Sequence, residues 1–123
     1  MNRAGAYRAG LRAEAAAAWM LRLRGWRILA RRFRTPVGEI DIIAQRGAVI
    51  AFVEVKRRRA RRDAMEALRP AQRERMIRAA RWWQTSHSFA QEAVLRFDLV
   101  TVNRWMWPRH MPDIFGEDST GGW

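Results

Sequence analysis

The chain has no cysteine, so disulfides, thiolate chemistry and zinc–thiolate sites are all excluded. It has no apolar run long enough to span a bilayer. Its first residues lack the apolar core of a secretory signal, because Arg3, Arg8, Arg12, Arg22 and Arg24 interrupt them. The simplest expected address is the cytoplasm, with no membrane partner. Acidic residues are scarce, at 12 against 24 basic ones. Lysine is scarcer still: Lys56 alone stands among arginines. Arginine and lysine exchange cheaply at most surface sites, but not where a compact, rotatable ammonium is required instead of a planar fork. The lone lysine therefore directs attention to the segment Phe52-Val53-Glu54-Val55-Lys56.

What is present suits one modest domain. The 123 residues are 49% hydrophobic, too apolar for a disordered basic tail. A net charge of +12 and a pI near 11.8 draw the chain toward polyanions. Residues 1–115 are expected to form the domain, and the polar, glycine-rich end 116–123 a mobile tail.

Apolar spacing predicts a helix over about 4–24, stopped at Gly25. A strand over 26–34 should place Ile28, Ala30 and Arg32 on one side and Arg27, Leu29, Arg31 and Phe33 on the other. Residues 35–38 form a turn. Strands over 39–44 and 49–56 flank Arg46-Gly47, which fits a two-residue hairpin turn. A second helix starts near Asp63 or at Pro70, favourable in a first turn, and runs to Gln84. A strand follows over 94–102, and Trp105-Met106-Trp107 is the candidate for a fifth. The order αβββαβ(β) points to an α/β domain with a central sheet flanked by helices.

With Gln45 and Ala48 flanking the turn, Asp41 faces Phe52 and Glu39 faces Glu54. Alternation then puts Glu39, Asp41, Phe52, Glu54 and Lys56 on one face, and Ile40, Ile42, Ala51, Val53 and Val55 on the other. Clustered carboxylates repel unless a cation joins them. Oxygen ligands without Cys or His favour a hard ion, Mg²⁺ or Mn²⁺. A divalent ion on Asp41, Glu54 and Glu39 would act as a Lewis acid on a phosphate, with Lys56 orienting water and offsetting charge. The bland alternative is a solvated strand face carrying cross-strand ion pairs.

Glu14 lies beside an apolar stripe of the first helix and needs a partner. It either points over the sheet toward the metal or pairs with an arginine such as Arg22 or Arg32. Arg57, Arg58, Arg59, Arg61 and Arg62 continue through Arg69 and Arg73 into a basic band, with Gln72 as its uncharged member. Such a band binds phosphates without sequence preference. The seven tryptophans are expected mainly in core or interface, with one or two free to stack on bases. His87 and His110 fall in loops.

Val37-Gly38-Glu39-Ile40-Asp41-Ile42-Ile43-Ala44 and Phe52-Val53-Glu54-Val55-Lys56-Arg57-Arg58 resemble the signature of the YraN-like family of small bacterial proteins. The resemblance runs over about residues 4–115. It takes in Glu14, Arg96-Phe97-Asp98 and His110-Met111-Pro112-Asp113-Ile114-Phe115. It implies a restriction-endonuclease-like, Holliday-junction-resolvase-like fold of the PD-(D/E)xK type. In it Asp41, Glu54 and Lys56 take the metal and water-orienting roles and Glu14 assists. Gln72 stands where the family often has a lysine, and the connector after Lys56 lacks the usual glycine. The implied function is a metal-dependent nuclease acting on DNA, including branched or repair intermediates, and resolvases of this fold act as homodimers. The rival functions are a non-catalytic nucleic-acid-binding module and a structural partner with a basic docking face.

Overall fold

The computed structural model describes residues 3–57 and 68–116. Five strands form one sheet in chain order: β1 (Arg27–Thr35), β2 (Gly38–Arg46), β3 (Val49–Lys56), β4 (Val94–Val102) and β5 (Pro108–Met111). All neighbours are antiparallel except β3 and β4. A parallel pair needs a crossover, and helix α2 (Pro70–Thr85) with a 3-10 turn (Ser88–Ala90) lies in that connection. Helix α1 (Arg3–Leu23) touches all five strands. The result is an α/β fold with a mixed sheet and two flanking helices, compatible with a nuclease-like core. Among the described residues no helix is long and apolar enough to cross a membrane.

Each face of the sheet carries its own core. Under α1, the small residues Ala13, Ala17 and Ala18 bring the helix close to Ile42, Ala44, Ala51, Val53 and Val100. Under α2, Met76, Ala79 and Trp83 cover Ile43, Ile50, Phe52 and Phe97. Two glycines have geometric work. Gly25, at φ +89°, ends α1 while Trp26 N–H donates to Leu21 O and Gly25 N–H to Arg22 O, a Schellman closure. At Gly38 a Cβ would lie 3.3 Å from Arg75 O, so its absence lets β2 begin hard against α2.

Several details differ from the sequence reading. The hairpin loop is Gly47-Ala48, with Gly47 at φ +59° in the first position as a II′-type turn requires, so Arg46 pairs with Val49. The register moves by two residues, which preserves side-chain parity on β3. Strand β1 has an irregularity between Ile28 and Ala30, and Arg32 adopts φ +53°. Strict alternation is thereby lost: Ile28 packs under α1, while Leu29, Ala30 and Phe33 all pack toward α2. Ile40, paired with Phe33, also belongs to the α2 side and not with Ile42. The fifth strand begins at Pro108, after the tryptophan triplet, because Asn103 folds residues 103–107 into a turn. Only Trp26 and Trp83 of the described tryptophans are buried. Arg58, Arg59, Arg61, Arg62, the alternative helix start at Asp63, and the tail from 117 lie outside the described residues.

Candidate active site

The β2–β3 ladder runs from Arg46 and Val49 to Ile42 and Val53 and stops there. Beyond it, the Asp41 side chain takes the place of a ladder bond: Val55 N–H donates to Asp41 Oδ2 at 2.8 Å. Glu54 and Lys56 follow Phe52 on the α2 side of β3, and Lys56 Nζ lies 3.1 Å from Glu54 Oε1. Glu54 is buried; Lys56 is partly exposed.

Two clefts meet at Asp41. One, of about 290 Å³, opens toward α2 and is lined by Glu39, Asp41, Glu54, Lys56, Gln72 and Arg75. The other, of about 240 Å³, opens toward α1 and includes Tyr7, Glu14, Arg32, Glu39, Asp41 and Arg57. Asp41 and Glu39 line both, so this edge of the sheet is open from either face.

The four carboxylates differ in their counter-charges. Glu14 is buried, with Arg31 Nε at 3.1 Å and Arg32 Nε at 3.9 Å. Glu39 is more open, with Arg34 Nε at 3.8 Å. Glu54 has Lys56. Asp41 has no ion pair among the described residues. Burial, then the neighbouring Glu54 charge, pushes its carboxyl up to about 7, opposed by the Val55 N–H. Burial also raises Glu54, against the pull of Lys56, and raises Glu14, against Arg31 and Arg32.

This donor set suits a hard cation in a specific way. Mg²⁺ keeps several waters and needs only one or two protein carboxylates, and Asp41 with Glu54 is such a pair. Among the described residues no three acidic or imidazole groups converge as a closed metal cage. Glu39 lines both clefts beside Asp41, with Arg34 Nε 3.8 Å from its carboxylate.

The basic residues divide. Arg57 and Gln72 line the two clefts. Arg69 precedes α2, and Arg73 lies with its guanidinium 5.9 Å from the Phe115 ring, outside both clefts. Arg75 on α2 lines the α2-side cleft; Arg32 and Tyr7 are cleft residues that no motif singled out as site members. Arg32 N–H donates to Tyr7 Oη at 3.2 Å and its guanidinium carbon lies 5.3 Å from the ring. The signal for Arg32 is its left-handed backbone, which only the structure displays.

A second polar cluster surrounds Asp98, which is fully buried. Arg96 donates to it twice at 2.9 Å, Asp113 N–H at 2.9 Å, and His110 Nε2 lies at 2.7 Å. Burial alone would raise this carboxyl, but the His110, Arg96 and Asp113 donors together hold it below the usual range. The ionised Asp98 therefore accepts from a protonated His110 Nε2. His87 caps the end of α2 instead, its Nδ1 2.7 Å from Trp83 O.

The family described as Uncharacterised protein family UPF0102 matches residues 13–102, a span containing Glu14, Glu39, Asp41, Glu54 and Lys56. A UPF0102 protein of Bradyrhizobium sp. (strain ORS 278) is 49% identical over 114 residues, covering 93% of this chain and 81% of that protein. A UPF0102 protein of Rhodopseudomonas palustris (strain ATCC BAA-98 / CGA009) is 48% identical over 115 residues, covering 94% and 88%. One of Caulobacter vibrioides (strain NA1000 / CB15N) is 45% identical over 111 residues, covering 90% and 89%.

Proposed function

The chain belongs to the UPF0102 (YraN-like) family, and from that premise we propose that it is a divalent-metal-dependent nuclease that hydrolyses phosphodiester bonds in DNA, including branched or repair intermediates. The supporting observation is the pairing of Asp41, which lacks a described cation, with Glu54 and Lys56 where two clefts meet. An acid poised near neutrality beside a second acid and an ammonium is an arrangement that function maintains at the expense of stability.

In this reading Asp41 and Glu54 hold Mg²⁺ or Mn²⁺. Bound there, the ion supplies Lewis-acid charge at a phosphate oxygen. The Val55 N–H holds Asp41 Oδ2, and Asp41 with Glu54 would supply the carboxylate oxygens to the cation. Lys56 presents a proton-bearing point charge at the cleft edge. It orients the attacking water and offsets charge developing on the phosphate, where an arginine would tend to lock a carboxylate in a fork. Gln72 and Arg75 face the same cleft from α2 and position the nucleic-acid backbone. Arg57, with the arginines after it in sequence, adds salt-sensitive attraction. Glu14 acts through Arg31 and Arg32, and through its own charge on Asp41.

A non-catalytic nucleic-acid-binding module is the second reading. Arg32, Arg57 and Arg75 in the two clefts would serve phosphate binding with or without a metal. A Mg²⁺-dependent cleavage screen over single-stranded, duplex and branched DNA separates the two, with Asp41→Asn beside the wild type. Cleavage by the wild type that is lost in Asp41→Asn supports the nuclease. Binding without cleavage under Mg²⁺ or Mn²⁺ supports the module.

A further inference from the structure

A groove of about 440 Å³ opens further along α1, between the helix and the β4–β5 connection. Ala16, Trp19, Met20 and Leu23 form its helix wall, and Met106, Trp107 and Pro108 the other. Two lining indoles stand in solvent, Trp19 at 63% exposed and Trp107 at 74%, and Trp105, one residue before the lining residue Met106, is 75% exposed. Large apolar side chains displayed together ordinarily mark a binding surface.

The display is built. Asn103 Oδ1 accepts from Trp105 N–H at 2.9 Å and Trp107 N–H at 3.0 Å, while Met106 N–H donates to Asn103 O at 2.9 Å. Met106 is held at φ +59°, a backbone that non-glycine residues seldom adopt, and its side chain packs on the core under α1. The turn thus sends Met106 inward and both flanking indoles outward. A left-handed residue over-determined by its surroundings is a recurring mark of functional loops.

The charges select the partner. Among the described residues of the groove lining, Arg24 is the only ionic one. The Arg22 guanidinium carbon lies 5.5 Å from the centre of the Trp19 ring, and that of Arg104 lies 4.7 Å from Trp105. Indoles interleaved with arginines, without a carboxylate in the lining, match unpaired bases on a phosphate backbone. They match a second copy of this +12 chain poorly.

We infer that this groove binds a single-stranded segment of nucleic acid, its bases stacked on Trp105, Trp107 and Trp19 and its phosphates neutralised by Arg22, Arg24 and Arg104. The inference rests on the nucleic-acid reading of the carboxylate site and deepens it. Helix α1 lines the site cleft with Glu14 and the groove with Trp19, less than two turns further on. A substrate with a single-stranded arm could engage both, which would favour branched or flapped nucleic acid over plain duplex.

The test is fluorescence anisotropy with a thymidine oligonucleotide and a matched duplex, without divalent metal. The double substitution Trp105→Ala/Trp107→Ala should weaken oligonucleotide binding by about tenfold or more and leave duplex binding within about twofold. The slope of affinity against salt should stay unchanged, because no charge is removed. Trp107→Phe, which keeps a stacking face, should retain most of the affinity. Trp82→Ala, on an exposed part of α2 across the sheet, should change nothing. Unaltered oligonucleotide binding in the double variant overturns the inference and leaves the nuclease reading standing. A wild-type dimer that the double variant turns into monomer also overturns it, since a second copy would then fill the groove. Failure of the wild type to bind either probe would sink the nucleic-acid reading itself.

Discussion

Asp41 and Asp98 are aspartates on inner strands of one sheet, and their electrostatics are opposite. Asp98 is wholly enclosed yet held below the usual carboxylate range. Asp41 keeps partial contact with solvent yet is pushed up to about 7. Burial raises both carboxyls; the donors around Asp98 overcome it, and the single donor and acidic neighbours of Asp41 do not. Asp98 receives two bonds from Arg96, one from Asp113 N–H and one from His110. Asp41 receives one backbone N–H and faces Glu54, Glu14 and Glu39. A fully satisfied buried charge fixes structure, here tying β4 to β5 and to the segment after it. An under-satisfied one stores electrostatic free energy that a cation can release.

The largest expected effect falls on the satisfied cluster. Asp98→Asn would set amide donors against Arg96 and His110, and should cost about 3–5 kcal/mol in urea unfolding. Asp41→Asn keeps an acceptor for Val55 N–H while removing an unpaired charge, so it should not destabilise the metal-free protein. A large loss there would erase the contrast.

Function should respond the other way. Lys56→Ala should slow Mg²⁺-dependent cleavage about a hundredfold or more, the scale of one lost preorganised charge, with DNA affinity nearly unchanged. Lys56→Arg keeps the charge but not the shape and should be badly impaired as well. Wild-type cleavage by Lys56→Arg would make the lone lysine an accident of composition.

A pH series sharpens the comparison. Asp41 has a folded pKa above its unfolded one, so its contribution is favourable at low pH and is lost as pH rises from about 4 through about 7. Asp98 has a depressed folded pKa, so its contribution is present above the ordinary value and is lost as pH falls through the folded one. Metal-free Asp41→Asn should gain on the wild type by on the order of 4 kcal/mol between pH 4 and pH 8, read from urea midpoints. A constant difference across that range would remove Asp41 as the strained group.

Glu39→Gln should do least. Its exposed pair with Arg34, at 3.8 Å, is worth no more than about 0.5 kcal/mol of stability. A larger loss in metal affinity for this variant would move Glu39 from bystander to ligand.

The sequence displays one of these clusters far better than the other. Glu54 and Lys56 share a face with Phe52 by alternation along β3, and the two-residue change of register leaves that parity intact, whereas Asp41 lies past the end of the paired ladder, where Ile40 has already changed face. Glu14 could be read as a buried acid, but not its dominant partner Arg31, because the irregularity in β1 and the left-handed Arg32 break alternation there. The Asp98 cluster draws on Arg96, His110 and a backbone N–H at Asp113, and local periodicity cannot bring these together. Trp105 and Trp107 run against the usual preference for burial because hydrogen bonds to Asn103 decide that turn.

Carboxyl-carbon NMR titration of the metal-free protein, with Asp41 and Asp98 assigned by their Asn variants, tests the contrast most directly. The Asp41–Glu54 pair should show a step near 7, moved downward by Mg²⁺, while Asp98 stays ionised below its ordinary value of 3.8. An ordinary midpoint for Asp41 that Mg²⁺ leaves in place would contradict it.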